Sequence, residues 1–221
     1  MSEGWQRETR LTGVINATRC FLRRILDGLE ISFYVRTVRR SPMREQGEGT
    51  KMEQSKLFES QEQKAGAEFS KDRKYRYRLW REWNKTKPAV LFVMLNPSTA
   101  DELVLDPTVS RCLSFAKEWG YGRLEVANLF ALRATDPKEL NKVEDPVGGV
   151  ENDVWIRWLS QEANLTVAAW GTHGGYLGRD VAVWPMLKEP HCLAISKEGY
   201  PKHPLYLNSE IEAFPYNGGK Y

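Results

Sequence analysis

The chain has 221 residues, long enough for one substantial α/β domain with its own core and too short for two large ones. Its formal charge of +3 sits at one end: residues 1–51 hold 10 Lys and Arg against 6 Asp and Glu, and the remainder holds 22 against 23. The body of the chain is near neutral, so its net charge demands no polyanion partner, while a local basic groove stays open.

Cys20, Cys112 and Cys192 are scattered and odd in number, which argues against a disulfide framework and a zinc site. His173, His191 and His203 form no HExxH or HxH pattern, so neither a metal nor a cofactor is expected. No apolar run approaches the ~20 residues of a membrane helix. Arg19, Arg23 and Arg24 interrupt the N-terminal apolar residues before a signal-peptide core can form. The expectation is a cytoplasmic protein with no membrane association; the oligomeric state is not legible.

Residues 1–66 read as a poorly ordered basic and polar extension, followed by a single α/β domain over 67–221. Ala17 to Leu29 has a helical reading that places Cys20, Phe21, Ile25 and Leu29 near one face, without a cap. The Arg-rich composition fits a nucleic-acid arm or, as the blander reading, a plain extension. Met52 is an alternative start. Glu53 to Lys74 is a polar lead-in, with order expected from near Phe69. YRYRLWREW, residues 75 to 83, alternates as a short edge strand and then shifts toward helical spacing.

PAVLFVMLNPSTAD, residues 88 to 101, is the most informative run. Ala89 to Leu95 has no polar face, so it predicts a strand covered on both sides. It ends abruptly in Asn96, Pro97, Ser98 and Thr99, and open α/β sheets bind ligands just past such carboxyl ends. A helix follows from Pro107 to a stop at Gly120, with Asp106 as its cap. Leu124 to Phe130 is a second strand, and Asp136 caps a short turn. Val150 to Ala163 is a helix in which Asn152 and Asp153 read as capping residues. Leu165 to Trp170 is a third strand ending in GTHGG, Gly178 to Lys188 a weaker helix interrupted by Pro185, and Cys192 to Ser196 a fourth strand.

Strand and helix thus alternate four times, which predicts a three-layer sandwich with a mostly parallel four-stranded sheet. The exits LNPST, ANLFALRATDP, AWGTHGG and SKEGYPKHPLYL all carry amides, hydroxyls, histidines or glycines, Gly171 and His173 among them. Polar exits at one edge of a sheet describe a pocket. Arg111 and Arg133 suit either a phosphate or a carboxylate partner.

MLNPS, VANLFALRATDP and KHPLYL, in that order, resemble the motifs of the uracil-DNA glycosylase superfamily. The wider string LNPSTAD, DPT, WGYG, ANLFALRATDP, ND and HPLYL resembles a bacterial and phage family called domain of unknown function 1643, over roughly residues 67 to 208. The glycosylase resemblance implies a uracil-DNA glycosylase-like fold and N-glycosidic chemistry on a base in DNA or a nucleotide. It implies that Asn96 orients water or stabilises the transition state, Asn128 reads a base edge, Phe130 is an aromatic wall and His203 donates to the departing base. Asn96 cannot take a proton near neutral pH, so a carboxylate, Asp101 or Asp106, is needed as base. A non-catalytic nucleotide or nucleic-acid binding module, and an α/β enzyme gripping a phosphorylated metabolite through Ser98, Thr99 and the arginines, remain alternatives. No P-loop and no GxGxxG is present.

Overall fold

The computed structural model describes residues 31–38, 63–98 and 106–218. One mixed sheet of eight strands contains β1 (Ile31–Val38), β2 (Gln63–Ser70), β3 (Arg76–Glu82), β4 (Ala89–Met94), β5 (Arg123–Asn128), β6 (Leu165–Ala168), β7 (His191–Cys192) and β8 (Phe214–Pro215). Their spatial order is β1-β2-β3-β5-β4-β6-β7-β8. The helices are α1 (Pro107–Glu118), α2 (Gly149–Glu162) and the short α3 (Arg179–Val183). Among the described residues, no helix is long and apolar enough to cross a membrane. The helical reading of Ala17 to Leu29 lies outside the described residues.

Three of the four strands expected from the alternating pattern are β4, β5 and β6; the fourth, expected over Cys192 to Ser196, shrinks to the two-residue β7, which shares only Cys192 with it, and all four run parallel. The sheet itself is not four-stranded. Antiparallel β1, β2 and β3 extend it on one side, and β8 pairs antiparallel with β7 on the other. β1 and the start of β2 fall within the segment expected to be an extension. The β2 sequence QKAGAEFS has no β-branched residue and a single aromatic, Phe69, so little in it announces a strand. Its burial comes from a neighbour: Gly66 faces Trp80 across the ladder, and a Cβ at Gly66 would lie 2.7 Å from the indole nitrogen. Only glycine lets that ring lie flat on β2.

β4 sits between two parallel partners, and side-chain alternation divides it between two cores. Val90, Phe92 and Met94 pack with Val109, Cys112, Phe115 and Ala116 of α1. Leu91 and Val93 pack with Trp155, Ile156 and Leu159 of α2 and Val183 of α3. α1 is capped as expected, with the Asp106 carboxylate accepting from Val109 N–H at 2.7 Å, and Gly120 follows it at φ +81°. The weaker helix expected from Gly178 to Lys188 shrinks to α3 plus a 3-10 turn at Trp184–Met186, because Pro185 removes a backbone donor.

β3 explains the change of spacing in YRYRLWREW. Glu68 pairs with Arg78 but Phe69 pairs with Arg76, so Tyr77 is one residue too many for the ladder. Such a bulge reverses which face each later residue takes. Arg76 therefore lies against α1, while Tyr77 joins the α2 core and Arg78 reaches Trp155 and Trp158 of α2.

Arg78 is buried and clamped by Glu125 through two hydrogen bonds of 2.8 and 2.7 Å, with Glu68 3.9 Å away. Arg123 adds bonds to Glu125 at 2.6 Å and Glu82 at 3.2 Å. Glu68 is the weak member: burial pushes its carboxyl up to about 7, Arg78 opposes this and Glu125 adds to it. The unfolded chain releases this proton near 4.5 and the folded one near 7. The group therefore favours the folded state at low pH, and that contribution is lost as pH rises through this window. Glu68→Gln is expected to flatten that decline and to raise stability above the window by ~1–3 kcal/mol, read by urea denaturation across the range. An unaltered pH slope in the variant would show that Glu68 is not its source.

Candidate functional site

The exits of the parallel strands are stitched together by main-chain hydrogen bonds. Leu129 and Phe130 N–H donate to the Met94 and Leu95 carbonyls at 2.8 and 2.9 Å, and Ala134 N–H donates to Pro97 at 2.9 Å. Asn96 completes the seam, its Nδ2 donating to the carbonyls of Ala134 at 2.8 Å and Pro97 at 3.2 Å. Both amide hydrogens are thereby spent, and what Asn96 offers a ligand is its Oδ1 acceptor. On the other side, Gly171 takes φ +73°, and its N–H donates to Pro201 at 2.9 Å, tying the β6 exit to the loop that carries His203.

These exits enclose a cleft of about 460 Å³. Asn96, Ser98, Gly171, His173 and His203 all line it, so five residues singled out from three distant exits meet in one place. Asp106 lines it too, holding Ser98 Oγ at 2.9 Å with one oxygen while the other caps α1.

His203 has a defined protonation state. Burial lowers its pKa below the usual 6.5, with the Asp106 carboxylate opposing the shift. The ring is therefore neutral near pH 7. Its Nδ1 accepts from Leu205 N–H at 3.4 Å, which leaves the proton on Nε2. His173 stands exposed at the rim, in the 3-10 segment Thr172–Gly178.

Other candidates lie elsewhere. Asn128 is 1% exposed at the end of β5, opposite Met94 in the parallel register, and is not among the lining residues. Phe130 is buried, 5.6 Å from the Tyr176 ring. Pro97 is buried and contributes its carbonyl to the seam. Arg133 crosses the Phe69 ring at 5.2 Å and donates to the Arg73 carbonyl at 3.2 Å. Arg111 donates to the Leu207 carbonyl and lies over Phe115, fastening α1 to the segment after His203. Thr99 and Asp101 lie outside the described residues. Cys112 and Cys192 are buried free thiols; burial pushes both up, Cys192 to about 11, which leaves them unreactive.

Asn152 and Asp153 do not cap α2. Gly148 is the cap position, and Asp145 accepts from Val147, Gly148 and Gly149 N–H at 2.8, 3.1 and 2.9 Å. Asn152 is instead wholly buried, its Nδ2 donating to the Asn128 and Leu129 carbonyls at 3.1 Å each. Arg179 Nε reaches the same Leu129 carbonyl at 3.0 Å and is held by Asp153 at 2.7 Å. These side chains fix the β5 exit from behind.

Sequence reasoning missed Arg76, which is 3% exposed and lines the cleft, because the β3 bulge decides its face. Trp170, at the end of the third expected strand, also lines it. The signal for Trp170 was present in its position, immediately before the GTHGG exit.

Two outcomes test this description. In a proton NMR titration, His203 should titrate below 6.5, and Asp106→Asn, which retains capping ability, should lower it further by removing the opposing charge; a rise would contradict the arrangement. Asn152→Ala should cost ~1–3 kcal/mol in denaturant unfolding, because two buried carbonyls lose a donor.

No curated protein and no solved structure matches the chain. Residues 76–205, which run from the cleft arginine on β3 past His203, match the family model described as protein of unknown function (DUF1643). The match takes in every described residue that lines the cleft, and the chain belongs to that family.

Proposed function

We propose that the cleft binds a nucleobase in DNA, a nucleotide or a nucleoside and that the protein is an N-glycosidase of uracil-DNA glycosylase-like type. The observation that carries this reading is the pairing of Asn96 and His203 in one cleft. One presents an acceptor because its amide hydrogens are spent, and the other a donor because its Nδ1 is. A flat heterocycle with a carbonyl and an N–H on its edge satisfies both. The cleft's 460 Å³ lies within the range of small-ligand sites.

In this reading the base leaves with the electron pair of the broken glycosidic bond, and His203 Nε2–H stabilises the negative charge on its carbonyl oxygen. Asn96 Oδ1 orients the water that bonds to the sugar carbon. The water's proton passes to a carboxylate, and Asp106 is the one that lines the cleft among the described residues. The relationship in fold to the uracil-DNA glycosylase superfamily is part of the same proposal, supported by the parallel order β5-β4-β6-β7 with apolar clusters on both faces.

A phosphorylated metabolite has less support. The N-terminus of α1, where a phosphate would be drawn, already holds the Asp106 carboxylate, and Ser98 is bonded to it. Arg111 is turned to a carbonyl.

A panel of uracil, thymine, hypoxanthine and hypermodified bases in single- and double-stranded oligonucleotides should yield abasic product with at least one member, and His203→Gln should slow it about 100-fold or more. Base-dependent binding without abasic product would make the protein a recognition module. Absence of both would end the nucleobase reading.

A further inference from the structure

The bulge that sends Arg76 into the first cleft sends Tyr77 into a second one. This open cleft of about 520 Å³ is lined by Tyr75, Tyr77, Asp72, Asp145 and Glu151, with Gly148 and Gly149 at the start of α2. The two tyrosine rings stack with centroids 6.5 Å apart and planes 21° from parallel. Tyr75 spends its hydroxyl on the Asp145 carbonyl at 2.8 Å. Tyr77 does not: its side chain is 4% exposed, and among the described residues its hydroxyl has no hydrogen-bond partner. Burial raises the phenol far above its usual pKa, and the Glu151, Asp72 and Asp145 carboxylates around the same cleft add to the effect. This O–H lines the open cleft, where a ligand acceptor can take the place of water.

The three carboxylates are not equivalent. Asp145 uses both oxygens on the backbone N–H groups of Val147, Gly148 and Gly149. Asp72 accepts from Ser70 Oγ at 2.5 Å and from Lys74 N–H at 3.0 Å. Glu151 has neither an ion pair nor a side-chain hydrogen bond among the described residues. Its Oε2 lies over Gly149, where φ is +70° and a Cβ would collide with it. The carboxylate lines the cleft beside that glycine. Lys71 lines the cleft and the Lys74 ammonium lies 5.1 Å from the Tyr75 ring centroid, so three carboxylates face two ammoniums. Glu151 is the carboxylate whose oxygens the described residues leave unengaged, and Lys74 illustrates that the ring face accepts a cation.

We propose that this second cleft is a binding site for an organic cation, an ammonium or guanidinium group seated between the Glu151 carboxylate and the Tyr77 hydroxyl and against the stacked tyrosines. Such a group carries several N–H donors on one positive centre, matching an unengaged carboxylate, a phenol oxygen and an aromatic face. A bare divalent ion fits less well, because Asp145 has both oxygens on backbone N–H groups and Asp72 has its Oδ1 on Ser70 and Lys74. The site stands apart from the nucleobase cleft and does not depend on that reading.

Calorimetric titration of the full chain at low ionic strength with spermidine and with N-acetyl-arginine amide tests it, with N-acetyl-citrulline amide as the neutral isostere. At least one cation should bind saturably and the citrulline compound should not. Glu151→Gln should weaken binding roughly five- to tenfold and Tyr77→Phe, which keeps the ring stack, roughly threefold, with melting temperatures unchanged. Tighter binding of spermidine points to a free polyamine as the source of the cation, and tighter binding of the arginine compound to a basic side chain of a partner protein. No saturable binding by either cation, or affinity that both variants leave unaltered, overturns the proposal.

Discussion

Everything in this fold hangs on burying β4 on both faces while its two neighbours run parallel to it. Val90 to Val93 have no measurable exposure, and each alternate residue is committed to a different core. A strand so enclosed has its backbone satisfied by its partners, and its side chains have no water to face. Polarity can begin only where the ladder ends. The parallel arrangement makes β4, β5, β6 and β7 end at the same edge, so their polar exits collect there.

Collecting polar groups is not enough to make a site; they must also be held. The backbone bonds between the β4 and β5 exits do part of this, and Asn96 closes the seam at the expense of its own donors. Asn152, Arg179 and Asp153 brace the β5 exit from the α2 face, and Asp106 joins the β4 exit to the start of α1. The proposed chemistry follows from this division of labour. Asn96 is left as an acceptor and His203 as a donor because the remaining polar atoms of each are already engaged by the backbone. The bulge in β3 has an equally local cause and a wider effect. One surplus residue in the ladder exchanges the faces that Arg76 and Tyr77 take relative to the rest of β3, and so serves two clefts.

The legible parts of the fold are those whose signals are local. The apolar run of β4 and the Asp106 cap with its Pro107 and Gly120 boundaries each act within a few residues, and the structure reproduces them closely. Asn152 shows the limit of such reasoning. Its place near a helix start reads as a cap, yet its partners are the Asn128 and Leu129 carbonyls more than twenty residues back, and the cap position is Gly148, with Asp145 accepting from the N–H groups of Val147, Gly148 and Gly149. β2 shows the same limit from the other side, since Trp80 lies on Gly66 from across the ladder while Ala67 on the opposite face joins the α1 core.

By itself, the amino-acid sequence determined that four buried strands alternate with helices and that polar residues cluster at their carboxyl ends, because period, caps and breakers operate over short spans of chain. The tertiary structure alone decided which exit residues meet. Asn96, Ser98, Gly171, His173 and His203 share a cleft while Asn128, Phe130 and Arg133 turn elsewhere. It also decided that the sheet has eight strands and that a buried arginine enters the site. Those outcomes depend on strand register and on contacts between residues far apart in the chain, where a shift of one position sends a side chain to the opposite face.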